Sequence, residues 1–109
     1  SVIQKANTRV GTAAYITAGT TFARDIPPYI VTGGNPIAYD SVNTSICREL
    51  GISEKVIKHI ANAYRLVFHG QTSVFDACIQ VNDQVPDSPE IRNIVEFIQK
   101  TEQGIICKL

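Results

Sequence analysis

His59 and His69 are the only two histidines in the 109 residues. Either is a candidate general base, because an imidazole titrates near neutral pH. They lie ten positions apart in one stretch of helical periodicity, so they fall on different sides of a helix. An ordinary surface or helix-end histidine is the favoured reading of each, and His69 in a last turn suits the negative end of the helix dipole. Cys47, Cys78 and Cys107 form no Cys-x-x-Cys, and no His-x-x-x-His or acidic cluster accompanies them, so no metal site is expected. They read as small apolar residues of a reduced protein. Asp25, just ahead of Pro27 and Pro28, reads as a turn-stabilising carboxylate rather than a general acid. Gly33-Gly34 is too short for a phosphate-binding loop. Motif chemistry alone reaches only a soluble globular domain.

Composition narrows the class. Ten basic and ten acidic residues cancel, which argues against nucleic-acid or anionic-membrane binding. A hydrophobic fraction of 44% is enough for a core. No apolar run approaches the ~18 residues of a membrane span, and no signal peptide opens the chain, so a cytoplasmic protein is expected. The chain has no methionine and opens within an apparent strand, so it reads as a fragment.

Two periods divide the sequence. Val10, Ile16 and Phe22 recur every six residues, with small Thr8, Ala14 and Thr20 two positions ahead of each. That spacing suits a solenoid of short strands dropping one side chain per strand into a narrow core; an ordinary pair of alternating strands fits as well. Pro27-Pro28 should end regular pairing, with Ile30-Val31 extended and Gly33-Gly34-Asn35-Pro36 a turn. From Ser41 the pattern becomes helical. A first helix spans Thr44 to Leu50 with Gly51 as its cap. Ser53 caps a second, with Val56, Ile57, Ile60, Tyr64, Val67 and Phe68 as its apolar stripe and Glu54–Lys58 as a supporting pair. Ser73 opens a third, and Ser88-Pro89-Glu90 a fourth that buries Ile91, Ile94, Val95 and Ile98. Short loops imply an antiparallel bundle. The expected division is residues 1–40, strands and exit loop, against 41–109, helices.

The order of segments carries a resemblance. Phe22-Ala23-Arg24-Asp25-Ile26-Pro27-Pro28-Tyr29-Ile30-Val31, then Gly34-Asn35-Pro36 and Val42-Asn43, is similar to the end of the β-helix in the UDP-N-acetylglucosamine acyltransferase family. Ala63-Tyr64-Arg65-Leu66-Val67-Phe68, Pro89-Glu90-Ile91 and Gly104-Ile105-Ile106 continue it. The resemblance implies a β + α fold: the end of a left-handed parallel β-helix of hexapeptide repeats, followed by a C-terminal antiparallel α-helical domain, in a homotrimer. It implies transfer of a 3-hydroxyacyl group from acyl carrier protein to the 3-hydroxyl of UDP-N-acetylglucosamine, the first step of lipid A synthesis. The donor is a thioester, so no cofactor is implied. The family's histidine base lies on an earlier coil, and neither His59 nor His69 matches it.

Site residues follow position by position. The resemblance places Asn43 against the nucleotide, Lys5 where the family has a substrate-site histidine, and Ala18 where a residue limits the acyl pocket. Ala18 also reads simply as a small β-helix residue. Arg48-Glu49-Leu50-Gly51 stands where the family has Lys-Arg-Arg-Gly, so two phosphate-directed arginines become Glu49 and Leu50, and Ser45 replaces a glutamate. Arg48 either compensates or is a solvated helix residue. Lys55, Lys58 and Arg65 are carrier-protein contacts by resemblance, though such residues are more often simply the wet face of an amphipathic helix. Two rivals stay open: a diverged homologue for another nucleotide sugar, and a non-catalytic trimerising or carrier-binding module.

Overall fold

In the computed structural model, which describes residues 3–4, 8–17, 21–22, 24–34, 37–102 and 104–108, the six-residue period yields strands too short to stand alone. β1 (Ile3–Gln4), β2 (Tyr15–Ile16) and β3 (Thr21–Phe22) have two residues each. They pair in parallel one coil apart, β1 with β3 and β2 with the strand that begins at Ile30. Ile3 lies opposite Thr21, Val10 opposite Ile26 and Tyr15 opposite Val31, separations of 16 to 18 residues. Parallel pairing at that interval is a chain stacking on itself, not a hairpin of alternating strands. Val10 is nevertheless 40% exposed, and Ile16 half-buried. A coil buries its inward side chains against coils on both sides, and among the described residues Val10 bridges one.

Regular pairing stops at the prolines as expected, with single bridges just ahead of them. Ile26 accepts from the Gly11 N–H at 2.7 Å and donates to the Arg9 carbonyl at 2.8 Å, and Asp25 forms a parallel bridge to Ile105. Single bridges survive because Asp25 and Ile26 keep the N–H groups that Pro27 and Pro28 lack. β4 (Ile30–Gly33) then pairs in parallel with β2 and antiparallel with β5 (Ala38–Val42). β5 carries strand structure through Ser41 and Val42, where the pattern already read as helical, and α1 begins at Thr44, the expected start of the first helix.

α1 (Thr44–Glu49) closes on Gly51 at φ +79°, with Gly51 N–H to the Arg48 carbonyl and Ile52 N–H to the Cys47 carbonyl, both 3.0 Å. This paired closure satisfies two end carbonyls and needs a left-handed residue, which glycine adopts freely. α2 (Glu54–His69), α3 (Val74–Gln84) and α4 (Pro89–Gln99) each start at a serine whose hydroxyl oxygen accepts from an N–H three residues on: Ser53 from Val56, Ser73 from Asp76 and Ser88 from Ile91, at 3.2–3.3 Å. The expected stripes are buried on α2 and α4, with Ala63 joining and Val56 only partly covered, and α3 buries Ala77, Cys78 and Val81. β6 (Cys107–Lys108) returns to pair in parallel with β5.

The core is shared between the two parts. Ile26, Tyr29 and Ile30 pack in one cluster with Ile60, Tyr64, Val81, Ile94 and Ile98. The Tyr64 hydroxyl, fully buried, donates to the Pro28 carbonyl at 2.5 Å. The same Pro28 sits against Gly11, where an added Cβ would fall 2.4 Å from the Pro28 nitrogen. We therefore expect Gly11→Ala to lower stability by ~1–3 kcal/mol, the usual cost of forced overpacking, measured by urea unfolding. An unchanged midpoint would show that the two segments separate freely.

Candidate functional site

Asn43 sits at the junction where β5 gives way to α1, and it is 8% exposed. Its backbone N–H donates to the Tyr29 carbonyl at 2.7 Å and its side-chain amide donates to the Ala13 carbonyl at 3.0 Å. Those acceptors are the two non-glycine residues with left-handed backbones among the described residues, Tyr29 at φ 67° and Ala13 at φ 59°. Such a conformation costs of order 1–3 kcal/mol and persists only where the surroundings fix it. Asn43 is one of the groups that fixes it. The Tyr29 N–H adds a bond to the Thr12 carbonyl at 2.7 Å, and its hydroxyl accepts from Asn93 at 3.0 Å. Burial pushes the Tyr29 phenol above its ordinary pKa, with the Asn93 hydrogen bond opposing.

One helix on, Arg48 meets Glu54 in a two-point contact, Nε and Nη2 to the two carboxylate oxygens at 2.9 and 3.0 Å. The tight Gly51 turn brings these neighbouring helix ends together. Glu54 thus pairs across the turn rather than with Lys58 within α2, the pairing expected from helix spacing. The hydrogen bond from Arg48 holds the Glu54 carboxyl below its ordinary range. Both side chains are more than half exposed, so the pair is readily exchanged for another partner. Glu49 and Leu50 are exposed beside it.

Lys55, Lys58 and Arg65 are exposed on α2 and make no ion pair among the described residues. With Asn62 and His69 they occupy positions three and four apart, a single face in a helix. His69 lies edge-on to Tyr39 at 6.3 Å between ring centroids, and Tyr39 stacks on Phe68 at 4.5 Å. His59 is half-buried on another side. Near β5, a cavity of about 290 Å³ is lined by Thr17, Thr32, Gly33, Gly34, Tyr39 and Asp40. Lys5 and Ala18, given roles by the resemblance, lie outside the described residues. Cys47 and Cys78 are buried free thiols, raised in pKa by desolvation, which suits inert core residues. No group of metal-ligating side chains occurs among the described residues, and no described helix is long and apolar enough to cross a membrane.

Sequence reasoning missed the partners of Asp25. Its carboxylate, 1% exposed, accepts from the Arg9 backbone N–H at 2.7 Å and the Thr101 hydroxyl at 2.5 Å. Arg9 Nε approaches it at 3.5 Å. Turn composition identified the carboxylate; nothing local identifies a threonine 76 residues away.

This arrangement of stacked parallel strands and capping helices is that of solved UDP-N-acetylglucosamine acyltransferases. The enzyme from Bacteroides fragilis superposes with a TM-score of 0.94 at 43% identity, over 96% of this chain and 41% of that one. The Acinetobacter baumannii structure shares the fold, at a TM-score of 0.91 and 23% identity over 96% of this chain and 41% of that one. Residues 25–106 match the family described as UDP N-acetylglucosamine O-acyltransferase, domain 2, and the chain belongs to that family. Curated acyl-carrier-protein–UDP-N-acetylglucosamine O-acyltransferases from Myxococcus xanthus and Paraburkholderia phymatum are 26% and 28% identical, each over 90% of this chain. The chain spans 38% and 39% of those two proteins.

The Asn43 geometry carries an expectation. Asn43→Ala should lose ~1–3 kcal/mol, because the Ala13 carbonyl loses its donor. Asn43→Asp should do no better, since a carboxylate has no N–H to give. Urea unfolding of both variants measures this, and an aspartate tolerated as well as asparagine would remove the assigned role.

Proposed function

We propose that this chain is the C-terminal portion of an acyltransferase that moves a 3-hydroxyacyl group from acyl carrier protein to the 3-hydroxyl of UDP-N-acetylglucosamine, opening lipid A synthesis. The observation that carries the reading is membership of the family across residues 25–106, supported by the curated relatives' own names. In this reading residues 1–40 are the end of a left-handed parallel β-helix with its exit loop, and residues 41–109 its helical domain. The assembly is a homotrimer in the cytoplasm, and no cofactor takes part, because the carrier thioester already holds an activated acyl group.

Roles divide accordingly. The general base that deprotonates the sugar hydroxyl belongs to a coil upstream of Ser1, so neither His59 nor His69 performs it, and this chain by itself does not turn over substrate. Lys55, Lys58 and Arg65 present an unpaired cationic face that suits an acidic carrier. By the family resemblance Asn43 and Lys5 serve the nucleotide sugar and Ala18 the acyl pocket. Arg48 reaches phosphate by exchanging its exposed contact with Glu54.

A specific observation favours a second reading, a homologue diverged toward another nucleotide sugar. Glu49 and Leu50 are exposed where the family carries arginines, and Glu54 occupies the one guanidinium that remains.

Two measurements on the longer natural protein test these statements. Charge reversal at Lys58 and Arg65 should weaken binding of acyl carrier protein about tenfold or more and flatten its salt dependence. Unaltered affinity would remove the carrier-docking role. Calorimetry with several nucleotide sugars tests the second point: Glu49→Arg with Leu50→Arg should tighten UDP-N-acetylglucosamine, since each restored charge-assisted bond contributes ~1.5–3 kcal/mol. Tightening toward a different sugar alone would support the diverged homologue.

A further inference from the structure

Two arginines flank Asp25 in space, and only one of them serves it. Arg9 approaches the carboxylate, donates to the Phe97 carbonyl at 2.8 Å and lies over the Phe97 ring at 4.2 Å from its centroid. Arg24, the immediate chain neighbour, is exposed and has no hydrogen-bond or ion-pair partner among the described residues. Its guanidinium instead crosses Gly104: a Cβ added there would fall 2.8 Å from Arg24 Nη1. Gly104 has φ +75°, a conformation that favours glycine, so the backbone that admits the guanidinium also excludes most side chains.

Arg24 lines a cleft of about 560 Å³ whose lining includes none of the α2 cations. Val74 and Phe75 of α3 and Ile105 supply its apolar walls. Phe75 is 56% exposed, a large apolar surface that no described residue covers. The volume lies within the ~300–1,000 Å³ of small-molecule sites, which combine apolar walls with a few orienting polar groups. Among the lining side chains Arg24 is the one cation and Glu102 the one carboxylate. A single guanidinium with an acid nearby suits a singly charged head, because a second negative charge would meet Glu102.

We propose that this cleft is a binding site for an amphiphilic monocarboxylate, with the carboxylate paired to Arg24 and the apolar body along Val74, Phe75 and Ile105. The site uses none of the residues given a role in acyl transfer, so its test stands apart from that reading.

The test uses the chain with octanoate, octanol and octyltrimethylammonium as probes, followed by calorimetry and by NMR of the Phe75 ring and Ile105 methyls. Octanoate should bind and shift those signals, at least about tenfold tighter than octanol, with the cation weaker still; a charge-assisted pair contributes roughly that factor. Arg24→Gln should lower octanoate affinity about tenfold and leave octanol unaffected, and Arg24→Lys should retain most of the octanoate affinity. The proposal is overturned by equal affinity for octanoate and octanol, by octanoate binding indifferent to Arg24→Gln, by shifts confined to other residues, or by no binding at millimolar concentration.

Discussion

The buried carboxylate of Asp25 ties the strand coils to the helices. It takes the Arg9 N–H from one coil and the Thr101 hydroxyl from the segment after α4. Its own backbone accepts from the Ile106 N–H at 3.1 Å and donates to the Gly104 carbonyl at 2.8 Å. A carboxylate taken out of water is costly unless charge and hydrogen bonds replace the lost hydration. Here two hydrogen bonds and the Arg9 guanidinium at 3.5 Å do so, joining a coil to the segment after α4. Once Asp25 is satisfied, the residues after it are placed: Ile26 in the core, Pro28 against Gly11 and Tyr64, and Tyr29 against Asn93.

The candidate site residues among the described ones hang from this segment. Tyr29 in its left-handed conformation meets Asn43, and Asn43 begins α1. The short α1 and its Gly51 turn then set where Arg48 and Glu54 face each other and where α2 starts. The orientation of Lys55, Lys58 and Arg65 is therefore fixed by a chain of contacts that starts in the coil. The motif by which the family resemblance is read, Asp25 to Tyr29, is a structural junction.

What was legible in the sequence was local. Ser53, Ser73 and Ser88 as caps, Pro89 in a first turn and the stripes of α2 and α4 depend on residues three and four apart, and they fall where expected. β5 was not legible, because Ala38-Tyr39-Asp40-Ser41 carries little alternation; it is a strand because β4 and β6 flank it. The Glu54 partner was misread because helix spacing rules see Lys58 and cannot see Arg48 across a turn. Of the candidate site, Asn43, Arg48 and the α2 cations came from resemblance, while their bonding partners came from tertiary contacts. The Arg9, Asp25 and Thr101 cluster has no local signature at all. Its members make sense only once the chain is folded.

A double-mutant cycle between Asp25→Asn and Thr101→Val, read by urea unfolding of the chain, tests the central role of this carboxylate most directly. If Asp25 couples the coil to the helical part, the two substitutions should interact by more than ~1 kcal/mol, as contacting residues in one buried network do. Additivity within ~0.3–0.5 kcal/mol, the behaviour of independent sites, would contradict it.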